Sequence, residues 1–78
     1  MSHHTLDARF MLCPIPVIKT QNIVETLSPG ETLEVICTDP GATNDVPAWC
    51  RINGHKLLDV RNIDNEYIIH IEVGDIES

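Results

Sequence analysis

Apolar positions along the chain switch between a period of two and a period near four, and the switches divide it into short elements. Thr5-Leu6-Asp7-Ala8-Arg9 alternates, with Leu6 and Ala8 on one side, as a half-buried strand does. Pro14 and Pro16 then open a different segment. At about 100° per residue, Val17, Ile23, Val24 and Leu27 share one side of a helix running from about Pro14 to Leu27. Ser28-Pro29-Gly30 stops that helix. In Thr32 to Thr38, Leu33, Val35 and Cys37 take one face of a second strand, and Glu34 and Ile36 the other. Asp39-Pro40-Gly41 is a turn signal. Thr43 or Asn44 can cap a second helix, with Pro47 in its first turn, Asn53-Gly54 at its end, and Val46, Trp49 and Cys50 on its core side. The remainder reads as a hairpin: Lys56 to Ile63, a polar turn at Asp64-Asn65-Glu66, and Tyr67 to Val73. Tyr67, Ile69, Ile71 and Val73 share a face of its second strand.

The order βαβαββ predicts an α+β two-layer sandwich, with both helices on one face of a four-stranded sheet. A right-handed crossover makes the first two strands parallel, so the Arg9–Pro14 turn and the Asp39–Asp45 loop lie at one edge. Open α/β sheets place their ligands there, beyond the carboxyl ends of parallel strands. Residues 1–78 form a single domain with its core at about 5–73, and the ends, with His3 and His4 on one and the acidic Gly74 to Ser78 on the other, are expected to be loose.

Composition narrows the class. At 42% apolar and 22% charged residues, 78 residues can fill and cover one small core, with a folded surface of about 4,700 Å² expected from the mass. The net charge of −7 argues against a domain that grips nucleic acid through neutralised phosphates, and favours a basic protein partner. Direct RNA binding is further disfavoured, because Phe10, Trp49 and Tyr67 are the only aromatic residues and no exposed stacking surface is expected from them. No run of about 18 apolar residues and no leader pattern at Met1-Ser2-His3-His4 is present, so a cytoplasmic protein without membrane contact is expected.

Three cysteines remain to be explained. Cys37 and Cys50 fall on core faces and read as packing, and the three lack the paired spacing of a structural zinc site. No metal and no cofactor is expected. Cys13 differs because it precedes Pro14, a favoured first helical residue, which makes Cys13 the expected N-cap. The unpaired N–H groups of a helix start favour a thiolate, and Pro16 stiffens that turn. Arg9 and Lys19 are candidate charge partners. No histidine suits a Cys–His hydrolase: His55 follows a helix of about ten residues, some 15 Å from the loop edge, and His70 faces away from the helices. A thiolate with no base beside it is suited to receiving and releasing sulfur by persulfide exchange. Ile15 and Ile18 lie three residues apart opposite the helix's core side, where they could form a docking patch beside Cys13. Asp39 and Asp45 on the same edge could meet a basic partner, although an Asx turn and an acidic helix start are the commoner uses of such residues.

Leu6-Asp7-Ala8 followed by Cys13-Pro14-Ile15-Pro16-Val17 resembles the Cys-Pro-x-Pro signature of the small sulfur-carrier proteins of the TusA/SirA type. Pro29-Gly30-Glu31, Thr38-Asp39-Pro40-Gly41, Asp45-Val46-Pro47-Ala48-Trp49-Cys50 and Gly54-His55-Lys56-Leu57 continue the likeness in register, from about Thr5 to Val73. The resemblance implies a mixed sheet in the order 1-2-4-3 with strand four antiparallel to the others. It also implies that Cys13 accepts a persulfide sulfur from a cysteine desulfurase and passes it to a downstream acceptor. In the best-known branch that sulfur reaches the 2-thiouridine of tRNA, while others serve sulfur oxidation or molybdenum-cofactor pathways. A monomer keeps such a cysteine accessible. The rival reading is a non-catalytic regulatory or adaptor domain of the same fold. Phe10 departs from the pattern, standing where the family usually has Gly, so the turn before Cys13 either avoids positive φ or is strained.

Overall fold

Which face each strand buries follows from the spacing of its apolar residues. In the computed structural model, which describes residues 3–12 and 15–74, the elements are β1 (His3–Ala8), α1 (Ile15–Val24), β2 (Thr32–Cys37), α2 (Ala42–Asn53), β3 (Lys56–Ile63) and β4 (Glu66–Glu72). They form one sheet in the order β1-β2-β4-β3. β1 and β2 are parallel, with Leu6 beside Val35 and Ala8 beside Cys37. β4 runs antiparallel to β2 and to β3. Ala8, Leu33, Val35, Cys37, Ile69 and Ile71 are fully buried on one face, and Val24 of α1 with Ala42, Val46 and Cys50 of α2 closes the core over them. Val17, Ile23, Leu27, Trp49 and Tyr67 pack around its margin.

Several boundaries differ from the expectation. β1 begins earlier, because His3 and His4 pair with Thr32 and Leu33 rather than forming a loose end. His3 Nδ1 lies 2.7 Å from Thr32 Oγ1, His4 Nε2 lies 2.9 Å from Glu31 Oε1, and the His3 ring stands edge-on to His70 with centroids 5.5 Å apart. α1 ends at Val24, three residues before Leu27. Its buried stripe is Pro16, Thr20 and Val24, at spacings of four. A threonine can sit there because its hydroxyl donates to Pro16 C=O at 2.7 Å, leaving no unpaired polar atom against the sheet. Pro16 is therefore a core residue as well as a turn former.

α2 is not capped by Thr43 or Asn44. Gly41 takes the N-cap position with no side-chain hydrogen bond, and Pro47 lies inside the helix beyond its first turn, buried against the core. The C-terminal end matches the expectation: Gly54 adopts φ 81°, the left-handed conformation that glycine enters without steric cost. The β3–β4 turn contains two residues, Asp64 and Asn65 at φ 51° and 65°, as a tight hairpin requires, and Glu66 belongs to β4. Gly74, expected in a loose tail, is tied down: its N–H donates to His55 Nδ1 at 3.1 Å. The tail beyond it, 75–78, lies outside the described residues.

Candidate functional site

Because β1 and β2 are parallel, the segments leaving them emerge together, and they are joined there. The Phe10 N–H donates to Thr38 Oγ1 at 2.9 Å, linking the exit of β1 to the exit of β2. Asp39 then folds its own loop, its carboxylate accepting from Gly41 N–H at 3.1 Å and its C=O from Ala42 N–H at 3.0 Å. This is the structural role expected of an Asp before Pro-Gly. Cys13 and Pro14 lie outside the described residues. The residues on either side are linked, with Ile15 N–H donating to Leu12 C=O at 3.0 Å as α1 begins.

The surface around this junction is apolar to an unusual degree. Phe10 is 87% exposed, Leu12 74%, Ile18 51% and Ile15 45%, while Met11 between them turns inward against the core. The exposure expected of Ile15 and Ile18 is found. Leu12 was not singled out by its sequence, since nothing in an isolated leucine distinguishes a surface position from a core one. Phe10 has φ 64°. The alternative left open by its place in the family pattern is thereby decided: the turn does use positive φ, and a bulky side chain occupies it.

The charged candidates divide. Arg9 is committed, its Nε and Nη2 forming a fork on the Asp7 carboxylate at 2.9 and 3.0 Å, with Nη1 reaching Glu66 at 3.4 Å. That fork, together with a bond from the Arg9 backbone N–H, holds the Asp7 carboxyl down to about 2 and pushes the Arg9 guanidinium upward. Lys19 and Asp45 are exposed. No group of three or more His, Cys, Asp or Glu side chains suited to a metal ion occurs among the described residues.

The other two thiols are unsuited to chemistry. Cys37 and Cys50 are fully buried and free. Burial, and secondarily the charge of Asp39, pushes the Cys37 thiol up; burial pushes Cys50 up to about 11 against a weaker opposing effect of Arg51. A thiol so protonated is a poor nucleophile. His55 is equally committed, at the far end of α2 from the loop edge, its ring stacked on Trp49 at 4.9 Å between centroids.

The architecture is a four-stranded mixed sheet under two helices, with a cysteine in the run joining the first strand to the first helix. The family model for sulfurtransferase TusA matches residues 4–73, and the chain belongs to that family. It is 43% identical over 58 residues, 74% of this chain and 77% of its relative, to the protein named Putative sulfur carrier protein YrkI of Bacillus subtilis (strain 168). In fold it is similar to the crystal structure of a SirA-like protein from Desulfitobacterium hafniense, with a TM-score of 0.82 and 22% identity, covering 92% of this chain and 99% of that one.

Proposed function

We propose that the protein carries sulfur as a persulfide on Cys13. The observation that carries this reading is membership of the TusA family together with Cys13 opening a Cys-Pro-Ile-Pro run that leads into α1. The Cys13 thiolate attacks the outer sulfur of a donor persulfide, a new S–S bond forms on Cys13, and the donor leaves as its own thiolate. No net oxidation occurs. Passing the sulfur on repeats the exchange in the opposite sense, so neither cofactor nor metal is required. A cysteine desulfurase supplies the sulfur, and a downstream protein takes it, most readily toward tRNA 2-thiouridine. The inert protonation of Cys37 and Cys50 supports Cys13 as the carrier among the three thiols.

Intact-mass spectrometry without reductant, after incubation with a cysteine desulfurase and cysteine, tests the reading. The mass of one sulfur atom should be gained by wild type, Cys37→Ser and Cys50→Ser and not by Cys13→Ser. A gain retained in Cys13→Ser would overturn Cys13 as the carrier, and no gain on any cysteine with several different donors would favour the adaptor alternative.

Partners dock, on this reading, over Phe10, Leu12, Ile15 and Ile18, with Pro14 and Pro16 shaping the turn and Lys19 and Asp45 at the rim. Arg9 and Asp39 contribute by fixing the loops rather than by offering free charge. Ile18→Glu should slow sulfur transfer from the desulfurase at least about tenfold, since a charge placed in a desolvated contact is costly, and leave the thermal midpoint nearly unchanged at this half-exposed site. Transfer rates measured with equal enzyme for the two proteins check this.

A further inference from the structure

β3 is an edge strand, and among the described residues nothing covers its outer edge. One side pairs with β4, and the other has no strand beside it among the described residues. Its residues are exposed along the whole length save Asp59, and the apolar ones are exposed too: Leu57 and Leu58 at 38%, Val60 at 41%, Ile63 at 48%. A long apolar edge with unpaired backbone N–H and C=O groups is a template for another strand.

Charge selects which strand. Register with β4 places Val60 beside Ile69 on the helix side, and Asp59 and Arg61 beside His70 and Ile68 on the open side. Asp59 and Arg61 therefore flank Val60 with opposite charges on one face, Arg61 Nε standing 3.6 Å from Asp59 Oδ2 while both side chains stay largely in water. If a second β3 runs antiparallel with Val60 on the two-fold axis, each Asp59 lies opposite the other copy's Arg61, and the two valines meet on the helix side. Moving the two-fold axis by one residue, which slides the copies two residues past each other, brings Asp59 onto Asp59 or Arg61 onto Arg61. Like charges directly opposite one another destabilise a strand pair.

We infer that the protein forms a symmetric dimer through β3, giving a continuous eight-stranded sheet in the order 1-2-4-3-3-4-2-1. An isologous contact of this kind needs a self-complementary patch, and the Asp59-Val60-Arg61 sequence supplies one. Leu58, passed over by the register between Leu57 and Asp59, confines the regular shared ladder to Asp59, Val60 and Arg61. β1, whose exit leads to the sulfur-carrier run, is the opposite edge of each sheet, so both copies keep that run open. This departs from the monomer expected of an accessible carrier, and it does not depend on the sulfur chemistry.

Sedimentation equilibrium over a range of protein concentration and salt is the test, on the full chain with its thiols reduced. Wild type should show a monomer–dimer equilibrium that weakens as salt rises. Arg61→Glu and, separately, Asp59→Lys should each raise the dimer dissociation constant at least about tenfold, because both copies lose an attractive pair and gain a repulsive one. The charge exchange Asp59→Arg with Arg61→Asp should restore dimerisation. Circular dichroism of each variant checks that the fold is kept, and the two single variants offer independent routes should one fail to fold. A wild-type protein monomeric at every concentration, or a dimer indifferent to both single substitutions, or no restoration in the exchange variant, would overturn the inference.

Discussion

At φ 64° the Cβ of Phe10 is crowded against its own backbone, which for an L-residue other than Gly or Asn costs on the order of 1–2 kcal/mol. Its ring recovers little of that by burial, being 87% exposed. Phe10→Gly should therefore raise stability by about 1 kcal/mol in urea denaturation. On the docking surface proposed above, the same change should slow transfer from the desulfurase, separating what the residue does for a partner from what it costs the fold. His55 is the opposite case, a residue serving the fold. Burial holds its pKa below the ordinary 6.5, and its Nδ1 must stay unprotonated to accept the Gly74 N–H. The unfolded chain takes up this proton more readily, so the contribution is complete above pH 6.5 and is lost as pH falls from there through the lowered folded value. Chemical denaturation at a series of pH values should show that decline, and His55→Gln should flatten it. The packing roles of Cys37 and Cys50 were legible, because period alone puts both on core faces. The φ of Phe10 was not: a Phe carries no mark of a left-handed turn, and only the family pattern raised the question.

Elements were legible wherever apolar spacing and punctuation agreed. β2, β3 and the end of α2 at Gly54 stand where the pattern put them. The failures share a cause. α1 faces the sheet through Pro16 and Thr20, and a reading that follows apolar side chains passes over a threonine whose hydroxyl is satisfied within its own helix. β1 extends to His3 and His4, which alternation of apolar residues cannot see, because their hold comes from the backbone ladder and from Thr32 and Glu31. The end of β4 is anchored by close packing as well as by the His55 side chain. A Cβ on Gly74 would stand 2.0 Å from the Gly54 C=O oxygen, a backbone atom at the α2–β3 junction. Gly74→Ala should consequently destabilise the protein by about 1–3 kcal/mol, read as a lower midpoint in thermal or urea unfolding.

For the molecule as a whole, the mass-based expectation of about 4,700 Å² is close to the observed 4757 Å², so the chain buries what a domain of its size can. Two layers follow from the element order alone. Strand order does not: periodicity distinguishes the faces of a strand but not its neighbours, and 1-2-4-3 came only with the resemblance. Among the described residues no helix is long and apolar enough to cross a membrane. The loop edge where β1 and β2 end, home of the candidate site, was legible because parallel strands leave together. Its apolar breadth was not, since it depends on Phe10 and Leu12 turning outward while Met11 turns in.

The central place of β4 has a consequence for biosynthesis. Both β2 and β3 rest on a strand that follows them in the chain. A nascent polypeptide that has reached Asn65 holds β1, β2 and β3 but lacks the strand that unites them, leaving one edge of β2 bare and β3 without a neighbour. The sheet closes only when Glu66–Glu72 has left the ribosome. Assembly is therefore a late, concerted event, and until then exposed strand edges must be kept apart by chaperones or by speed.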